Sequence, residues 1–436
     1  MKKQRVCIVG GGMMGLTLAW RMSALGHHVT VCEAAPTLGG LASAWQLDDV
    51  VWDRFYHVIL LSDLALRKVL DEIGLEKSIR WVETKTGFYS SGKFYSMSNS
   101  LEFLKFPPLS LIEKFRLGGT IFFGSKLKNW KRMESIPVEQ WLRKWSGNST
   151  FEKIWRPLLK AKLGDAYQRV SASFIWSYIT RMYRARNSGL KKEMFGYVPG
   201  GYAKVLDTFA KKLQERGVDL RVGYATQSIE RNGEQVRVVF AQQPSEVFDK
   251  VVITVPSPHI APMCPQLSSG EKSSYDECEY LGVICSSVLL DRPLSPYYVT
   301  NITDEWVPLT GVINLTTIVD PADFGNKHLV YLPKYVLAKD DAAFAEDDVA
   351  IKERLLGVLD KMYPEFRRDQ VLAFQTARAR NVMALPTLNY SDKLPPAKTS
   401  IPNVYVVNSA QITKGNLNIN ETIEVAEEAM KWLSNE

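Results

Sequence analysis

The sequence has few cysteines and no long apolar run. Its five cysteines are an odd number and include no CxxC pair, which excludes a disulfide framework and gives no indication of a zinc site. No run of about 18 apolar residues occurs, so no segment is predicted to cross a membrane. No apolar stretch of the signal-peptide kind follows Met1, so a reducing, cytoplasmic location is expected, at the inner face of the membrane if the chain rests on one.

The chain also lacks the charge excess of a nucleic-acid-binding protein. Lys plus Arg number 54 against 47 Asp plus Glu, a modest net charge of +7 over 436 residues. The excess is concentrated, because residues 101–192 contain 19 basic and six acidic side chains and the remainder is therefore negative. No nucleic-acid partner is expected. The positive stretch suggests an anionic small molecule or an anionic surface, unless it is simply a solvated helical face.

A short β-branched run, Val6 to Val9, ends in a glycine-rich turn that opens a helical pattern. The turn reads Gly10-x-Gly12-x-x-Gly15. Gly10 allows a tight turn, Gly12 lets the backbone approach a pyrophosphate at the helix N-terminus, and Gly15 lets the helix pack close to the strand. This strand–turn–helix context predicts a dinucleotide-binding site.

An acidic residue follows the second strand of this unit. The strand His28–Cys32 ends at Glu33, 23 residues after Gly10. A carboxylate in this position accepts hydrogen bonds from a ribose and repels a 2′-phosphate, which disfavours NADP. These residues leave NAD and FAD open.

A glycine doublet, Gly39-Gly40, follows Glu33 and precedes Leu41. Here the sequence resembles the family of FAD-dependent amine oxidases, protoporphyrinogen oxidases, phytoene desaturases and UDP-galactopyranose mutases, in which the doublet lets the backbone curl around FAD. The resemblance implies non-covalent FAD and no metal. The cofactor-binding residues that it implies are Gly10, Gly12, Met13, Met14, Gly15, Glu33, Ala34, Gly39, Gly40, Leu41, Thr226, Asn408, Ser409 and Asn420.

Later segments extend the resemblance with some departures. Thr226 stands where the family usually has Val in the segment whose backbone touches the adenine. The apolar strand 404–407 is followed by Asn408-Ser409, where the family commonly has Gly-Asp or Gly-Thr. Asn420 opens the final helix, whose first backbone N–H groups face the flavin carbonyls in the family.

The predicted fold class is α/β. The resemblance implies a Rossmann-type FAD-binding domain of the two-dinucleotide-binding-domain flavoprotein class, with a helical lid and a mixed-sheet substrate domain. The predicted division of the chain is FAD-binding domain in 1–84, 191–262 and 386–436, helical lid in 85–190, and substrate sheet in 263–385.

Three residues are candidates for the catalytic site. In the mutase branch a segment similar to Asp53–His57 comes close to the flavin ring, so Tyr56 and His57 are candidates beside it, with a structural role for His57 as the alternative. Arg181, with Arg184 and Arg186, has the forked donors that suit an oxyanion site.

Residues 101–132 interleave six aromatic and seven basic side chains. Such a combination can rest on anionic lipid headgroups, which would make the chain a peripheral membrane protein. The alternative is that the aromatic residues pack in the core.

The leading functional hypothesis is an FAD-dependent oxidoreductase that transfers a hydride from an organic, anionic substrate to flavin N5. A nucleotide sugar, a sugar phosphate or a carboxylate would fit, and O2 and a quinone are both open as electron acceptor. One alternative is a non-redox enzyme like UDP-galactopyranose mutase, acting on a nucleotide sugar or lipid-linked sugar. The other is a flavin-binding protein without turnover.

Overall fold

Short strands from distant parts of the chain build the sheets. The structure, a computed structural model, describes residues 3–186 and 193–434, without the side chains of 184–186. The strands in these residues are β1 (Arg5–Val9), β2 (His28–Glu33), β3 (Ala44–Leu47), β4 (Val50–Asp53), β5 (Ile59–Leu60), β6 (Arg80–Glu83), β7 (Thr86–Ser90), β8 (Lys93–Ser96), β9 (Met194–Tyr197), β10 (Asp219–Val222), β11 (Thr226–Asn232), β12 (Gln235–Phe240), β13 (Glu246–Phe248), β14 (Lys250–Ile253), β15 (Tyr280–Leu290), β16 (Val299–Ile302), β17 (Gly311–Asn314), β18 (His328–Leu337), β19 (Val371–Ala384) and β20 (Val404–Val406).

The α-helices begin at recognisable caps. Ser110 and Glu113 form a capping box at one helix start, and Asp347 accepts backbone N–H bonds at another. The helices are α1 (Met13–Ala24), α2 (Leu64–Glu72), α3 (Ser100–Leu104), α4 (Leu111–Lys126), α5 (Trp130–Glu134), α6 (Val138–Ser146), α7 (Asn148–Thr150), α8 (Arg156–Leu163), α9 (Ser173–Arg186), α10 (Gly201–Glu215), α11 (Ile260–Met263), α12 (Ser269–Asp276), α13 (Asp341–Ala345), α14 (Asp348–Met362) and α15 (Ile419–Leu433).

A five-stranded parallel sheet, in the order β10-β2-β1-β14-β20, carries the glycine turn. Its central strand β1 is covered on both sides, which explains its continuous apolar sequence. Val6 and Ile8 pack against α1, α10 and α15. Cys7 and Val9 face the small antiparallel sheet β11-β12-β13. The result is a three-layer unit assembled from separated parts of the chain, while the predicted domain boundaries themselves stay predictions.

A seven-stranded mixed sheet, in the order β19-β15-β18-β17-β16-β7-β8, forms the other half of the structure. Its strand β15, which lies between β19 and β18, is buried along its whole length. Because side chains alternate along a strand, Ile284 faces α14 and Cys285 faces the helical layer. Tyr331 of β18 lies on the same side as Cys285. The sheet therefore presents one face to the helical layer and to the segment that follows the glycine doublet.

The stretch 85–190, predicted to be helical, begins differently. Its first part forms β7 and β8, and β7 pairs in parallel with β16 of the mixed sheet. Helices α3 to α9 follow and pack around a core that includes Trp141, Phe151 and Trp176. The two strands form a local hairpin, but the strand β16 that joins it to the mixed sheet lies far along the chain, so local sequence did not predict this pairing.

The aromatic residues of 101–132 divide between core and surface. Phe106 is fully buried, as core packing predicts, whereas Phe115, Phe122 and Phe123 are exposed. Within residues 3–186 and 193–434, no helix is both long and apolar enough to span a bilayer.

Candidate functional site

The glycine turn has the backbone geometry that its motif predicts. Gly10 has φ of +111°, in the left-handed region that favours glycine. A Cβ at Gly15 would overlap the carbonyl oxygen of Gly10, so this residue must be glycine for α1 to pack on β1. The two positions therefore shape the turn itself.

Gly12 stands in open space at the start of α1. A Cβ added here would meet no protein atom closer than the Gly39 carbonyl oxygen at 4.0 Å. The first turn of α1 contains no acidic residue, and among the described residues no side chain caps it, so the positive end of the helix attracts an anion. Gly39 and Gly40, both with positive φ, close the other side, and the Gly39 N–H donates to the Gly11 carbonyl at 2.8 Å. The glycine doublet thus lies directly against the glycine turn, and the contact of these glycines with a pyrophosphate stays a prediction.

Glu33 is held in place by two backbone donors. Its carboxylate accepts hydrogen bonds from the N–H groups of Gly11 at 2.7 Å and Ala35 at 2.8 Å. Each oxygen keeps a lone pair for a ribose hydroxyl. The expected acceptor thus lies beside the turn.

The other predicted cofactor residues surround this cradle or lie at its edges. Met13 and Met14 are buried in the first turn of α1, while Ala34 is exposed and Leu41 is half-buried. Thr226 begins β11, and its buried Oγ1 lacks a hydrogen-bond partner in the described part of the chain. The adenine contact proposed for Thr226 stays a prediction.

The polar side chains of the C-terminal segment are used within the protein. Asn408 donates to the Val255 carbonyl at 3.0 Å and accepts from the Ala410 N–H. Asn420 accepts from the N–H groups of Ala65 and Leu66, which caps α2. With both side chains engaged, Asn408 and Asn420 are expected to contact a cofactor through their backbone, and the contact of Ser409 stays a prediction. Sequence reasoning missed the capping role because the two elements are distant in sequence.

A buried carboxylate organises the segment after the glycine doublet. Asp53 accepts from the Tyr202 N–H at 2.8 Å, and its backbone carbonyl accepts from the Tyr331 hydroxyl at 2.6 Å. His57 Nδ1 lies 3.7 Å from the other carboxylate oxygen, and the ring packs against Tyr202. Burial raises the pKa of Asp53, while His57 and the Tyr202 N–H offset part of that rise.

Tyr56 points from this segment toward the mixed sheet. Its hydroxyl lies 3.3 Å from that of Tyr335 on β18. Burial raises the pKa of both phenols, so both are protonated at neutral pH. Tyr335 and the nearby Lys162 on α8 are candidate site residues that sequence reasoning missed. The strand period, which places Tyr335 on the face of Tyr331, was the available signal.

Arg181 lies near the site but is already paired. Its guanidinium contacts both carboxylate oxygens of buried Asp63, at 3.0 and 3.2 Å. Its charge is thus balanced within the protein, and the predicted role of Arg181 in an oxyanion site stays a prediction. The side chains of Arg184 and Arg186 lie outside the described part of the chain.

We expect Gly12→Val to abolish cofactor binding without unfolding the protein. The added methyl groups would occupy the open space beside Gly12 at the start of α1, while the backbone at Gly12, with φ of −75°, accepts any residue. Visible flavin absorption should be lost, and the melting temperature should match that of the cofactor-free parent. Gly15→Val is the matched contrast, because it clashes with backbone and should cost about 1–3 kcal/mol or more of stability. Flavin retained by Gly12→Val would show that the pyrophosphate lies elsewhere.

We expect Asp53→Ala to lower the free energy of unfolding by about 2 kcal/mol, because a buried N–H loses its acceptor. Urea denaturation followed by circular dichroism measures the change. Asp53→Asn keeps an oxygen facing Tyr202 and should lose much less. Equal stability of the alanine variant and the parent would refute the organising role of this carboxylate.

Comparisons with known proteins also indicate a flavin-binding protein. The model of the family described as flavin containing amine oxidoreductase matches residues 13–426. Coproporphyrinogen III oxidase of Staphylococcus aureus is 23% identical over 58% of this chain and 60% of its own length. An L-amino-acid oxidase of Sistrurus catenatus edwardsii is 22% identical over 56% of this chain and 48% of its own. The chain thus spans about half to three fifths of these curated relatives.

Solved structures match over the whole chain. Putrescine oxidase bound to putrescine superposes with a TM-score of 0.75 at 16% identity, covering 100% of both chains. This likeness confirms the predicted α/β fold class, with its parallel and mixed sheets. The family match confirms the flavin cofactor, FAD, and gives no support to the mutase alternative. The chain belongs to the flavin containing amine oxidoreductase family.

Proposed function

We propose that the protein is an FAD-dependent oxidoreductase that removes a hydride from an organic, anionic substrate. The observation that carries the proposal is the position of the segment 53–57 between the two halves of the molecule. Asp53 contacts the start of α10, a helix whose Leu206 lies against Gly39 of the glycine doublet. Tyr56 contacts β18 of the mixed sheet. A substrate on that face of the sheet lies next to the cofactor cradle.

The residues of the chain place the substrate and move its proton. When bound, FAD supplies the hydride acceptor. The protonated hydroxyls of Tyr56 and Tyr335 can donate hydrogen bonds to a substrate oxygen. His57 is the proposed proton acceptor, because its Nδ1 faces the Asp53 carboxylate at 3.7 Å while the ring keeps some accessible surface. The buried surroundings exclude water from the reacting groups.

The charge of the helical layer supports an anionic substrate. Residues 101–192 contain 19 basic against six acidic side chains. Some of these charges are balanced locally, as in the pairs of Arg143 with Glu139 and Glu152. The excess that remains repels a polyamine and attracts a nucleotide sugar, a sugar phosphate or a carboxylate.

We expect an anionic substrate to bleach the flavin under anaerobic conditions and the visible band to return with air or a quinone. The panel is a UDP-sugar, a sugar phosphate, a set of amine- or alcohol-bearing carboxylates, and putrescine as the cationic control. Bleaching by putrescine alone would overturn the anionic substrate class. Turnover that requires flavin previously reduced with dithionite would overturn the oxidoreductase reaction itself.

We also propose that α3 and α4 rest on an anionic membrane surface. Two features support contact with a bilayer: the helices expose apolar side chains, and basic side chains flank them. The exposed apolar residues are Leu101, Leu104, Leu111, Ile112, Phe115, Phe122 and Phe123. The exposed basic neighbours are Lys105, Arg116, Lys126 and Lys128. The apolar rings would enter the interface while the cations pair with lipid headgroups.

We expect the protein to sediment with vesicles that contain phosphatidylserine and not with pure phosphatidylcholine vesicles. Phe115→Asp should weaken this binding strongly, because it replaces an apolar ring that is 74% exposed with a carboxylate. Val349→Asp is the matched control, since Val349 is 68% exposed on α14, away from the patch. Equal sedimentation of the two variants would contradict the proposal.

A further inference from the structure

Four polar side chains come together beside the mixed sheet. Tyr56, Tyr178 of α9, Tyr335 of β18 and Lys162 of α8 all lie deep in the protein, where burial shifts the pKa of each. Each nevertheless keeps accessible surface. Side chains that are deep and still accessible line a chamber rather than fill a core.

Lys162 brings a cation to this chamber. It lies on the buried side of α8 near Leu159 and Leu163. Its Nζ stands 3.1 Å from the centre of the Tyr335 ring, a cation–π contact. Within the described residues no carboxylate pairs with it. Burial lowers its pKa to about 7, and no charged neighbour contributes to the shift.

The groups around Lys162 are neutral, paired with another residue, or part of the lining of a nearby cleft. Burial raises the pKa of the three phenols and of the Cys285 thiol on β15, so these groups carry no charge at neutral pH. Charged residues also line an adjoining cleft of about 580 Å³, to which Tyr335 contributes. They are Lys160, Asp165, Asp304, Glu305, Lys334, Lys339 and Asp340. Arg181 is paired with Asp63. An anion in the chamber therefore meets Lys162 as its balancing charge.

We propose that Lys162 binds a carboxylate of the substrate, to which the hydroxyls of Tyr56 and Tyr335 also donate hydrogen bonds. This inference rests on the proposed oxidation of an anionic substrate and narrows its class. One ammonium balances one carboxylate. A diphosphate or a phosphate dianion in the same buried space would keep negative charge without a partner, which is costly in a low-dielectric interior.

The test uses benzoate as the probe and the visible band of the flavin-loaded protein as the readout. The parent should bind benzoate more tightly at about pH 6 than at about pH 8.5, because the ammonium is lost as the pH rises through its pKa. Lys162→Met should weaken binding at least about tenfold at the lower pH. Lys162→Arg should bind at both pH values, since a guanidinium stays charged. Lys160→Met, exposed on the same helix, should leave binding unchanged.

Three results would overturn the assignment. They are unchanged benzoate binding by Lys162→Met, a pH dependence that persists in Lys162→Arg, and pyrophosphate displacing benzoate with equal or higher affinity. If Lys162→Met fails to take up flavin, Lys162→Gln, which keeps a hydrogen-bond donor without the charge, replaces it. Failure of the oxidoreductase proposal would give a different result. The flavin-loaded protein would still bind benzoate, but no substrate would reduce its flavin.

Discussion

The contacts of Asp53 are the constraint on which the rest of the site depends. One carboxylate oxygen accepts a hydrogen bond from the N–H of Tyr202, in the first turn of α10, and the other faces His57. The backbone carbonyl accepts a hydrogen bond from the Tyr331 hydroxyl. A single buried residue thereby joins the cofactor side, the segment 53–57 and the mixed sheet. Because a buried carboxylate without donors is costly, each of these elements must be in place for the others to be stable.

Glycine residues allow the start of α10 to approach Asp53 closely. Gly200 and Gly201 both have positive φ, and a Cβ at Gly201 would stand 2.9 Å from the Asp53 carboxylate. The two glycines therefore turn the chain and also leave room for the Asp53 carboxylate. The same logic operates at Gly10 and Gly15, where backbone meets backbone. Each of the two glycine turns thus faces a carboxylate, Glu33 at one and Asp53 at the other, and the second turn joins the cofactor side to the segment 53–57.

The sequence predicted those parts of the site that are local. The turn at Gly10 and the acid at Glu33 lie in one strand–turn–helix–strand unit, so spacing alone reveals them. Contacts between distant elements could not be predicted in this way. The parallel pairing of β7 with β16 and the Asp63 partner of Arg181 depend on tertiary packing. The meeting of Tyr56 with Tyr335 also joins distant parts of the chain, and no local pattern marks either residue as half of a pair.

Location, more than number, decides what the positive charge of the helical layer can do. Composition counts Lys162 as one of 19 basic residues in 101–192. Most exposed cations are screened by water and salt, and several are paired, as Lys153 is with Glu113. A cation beside a buried chamber acts through a lower dielectric and loses less of its field to solvent. Burial lowers the pKa of Lys162, so the chamber favours a negatively charged ligand that stabilises the protonated amine. Selectivity for an anion then follows from one desolvated ammonium, and the surface excess serves to guide the approach of the substrate or to hold the protein at an anionic surface.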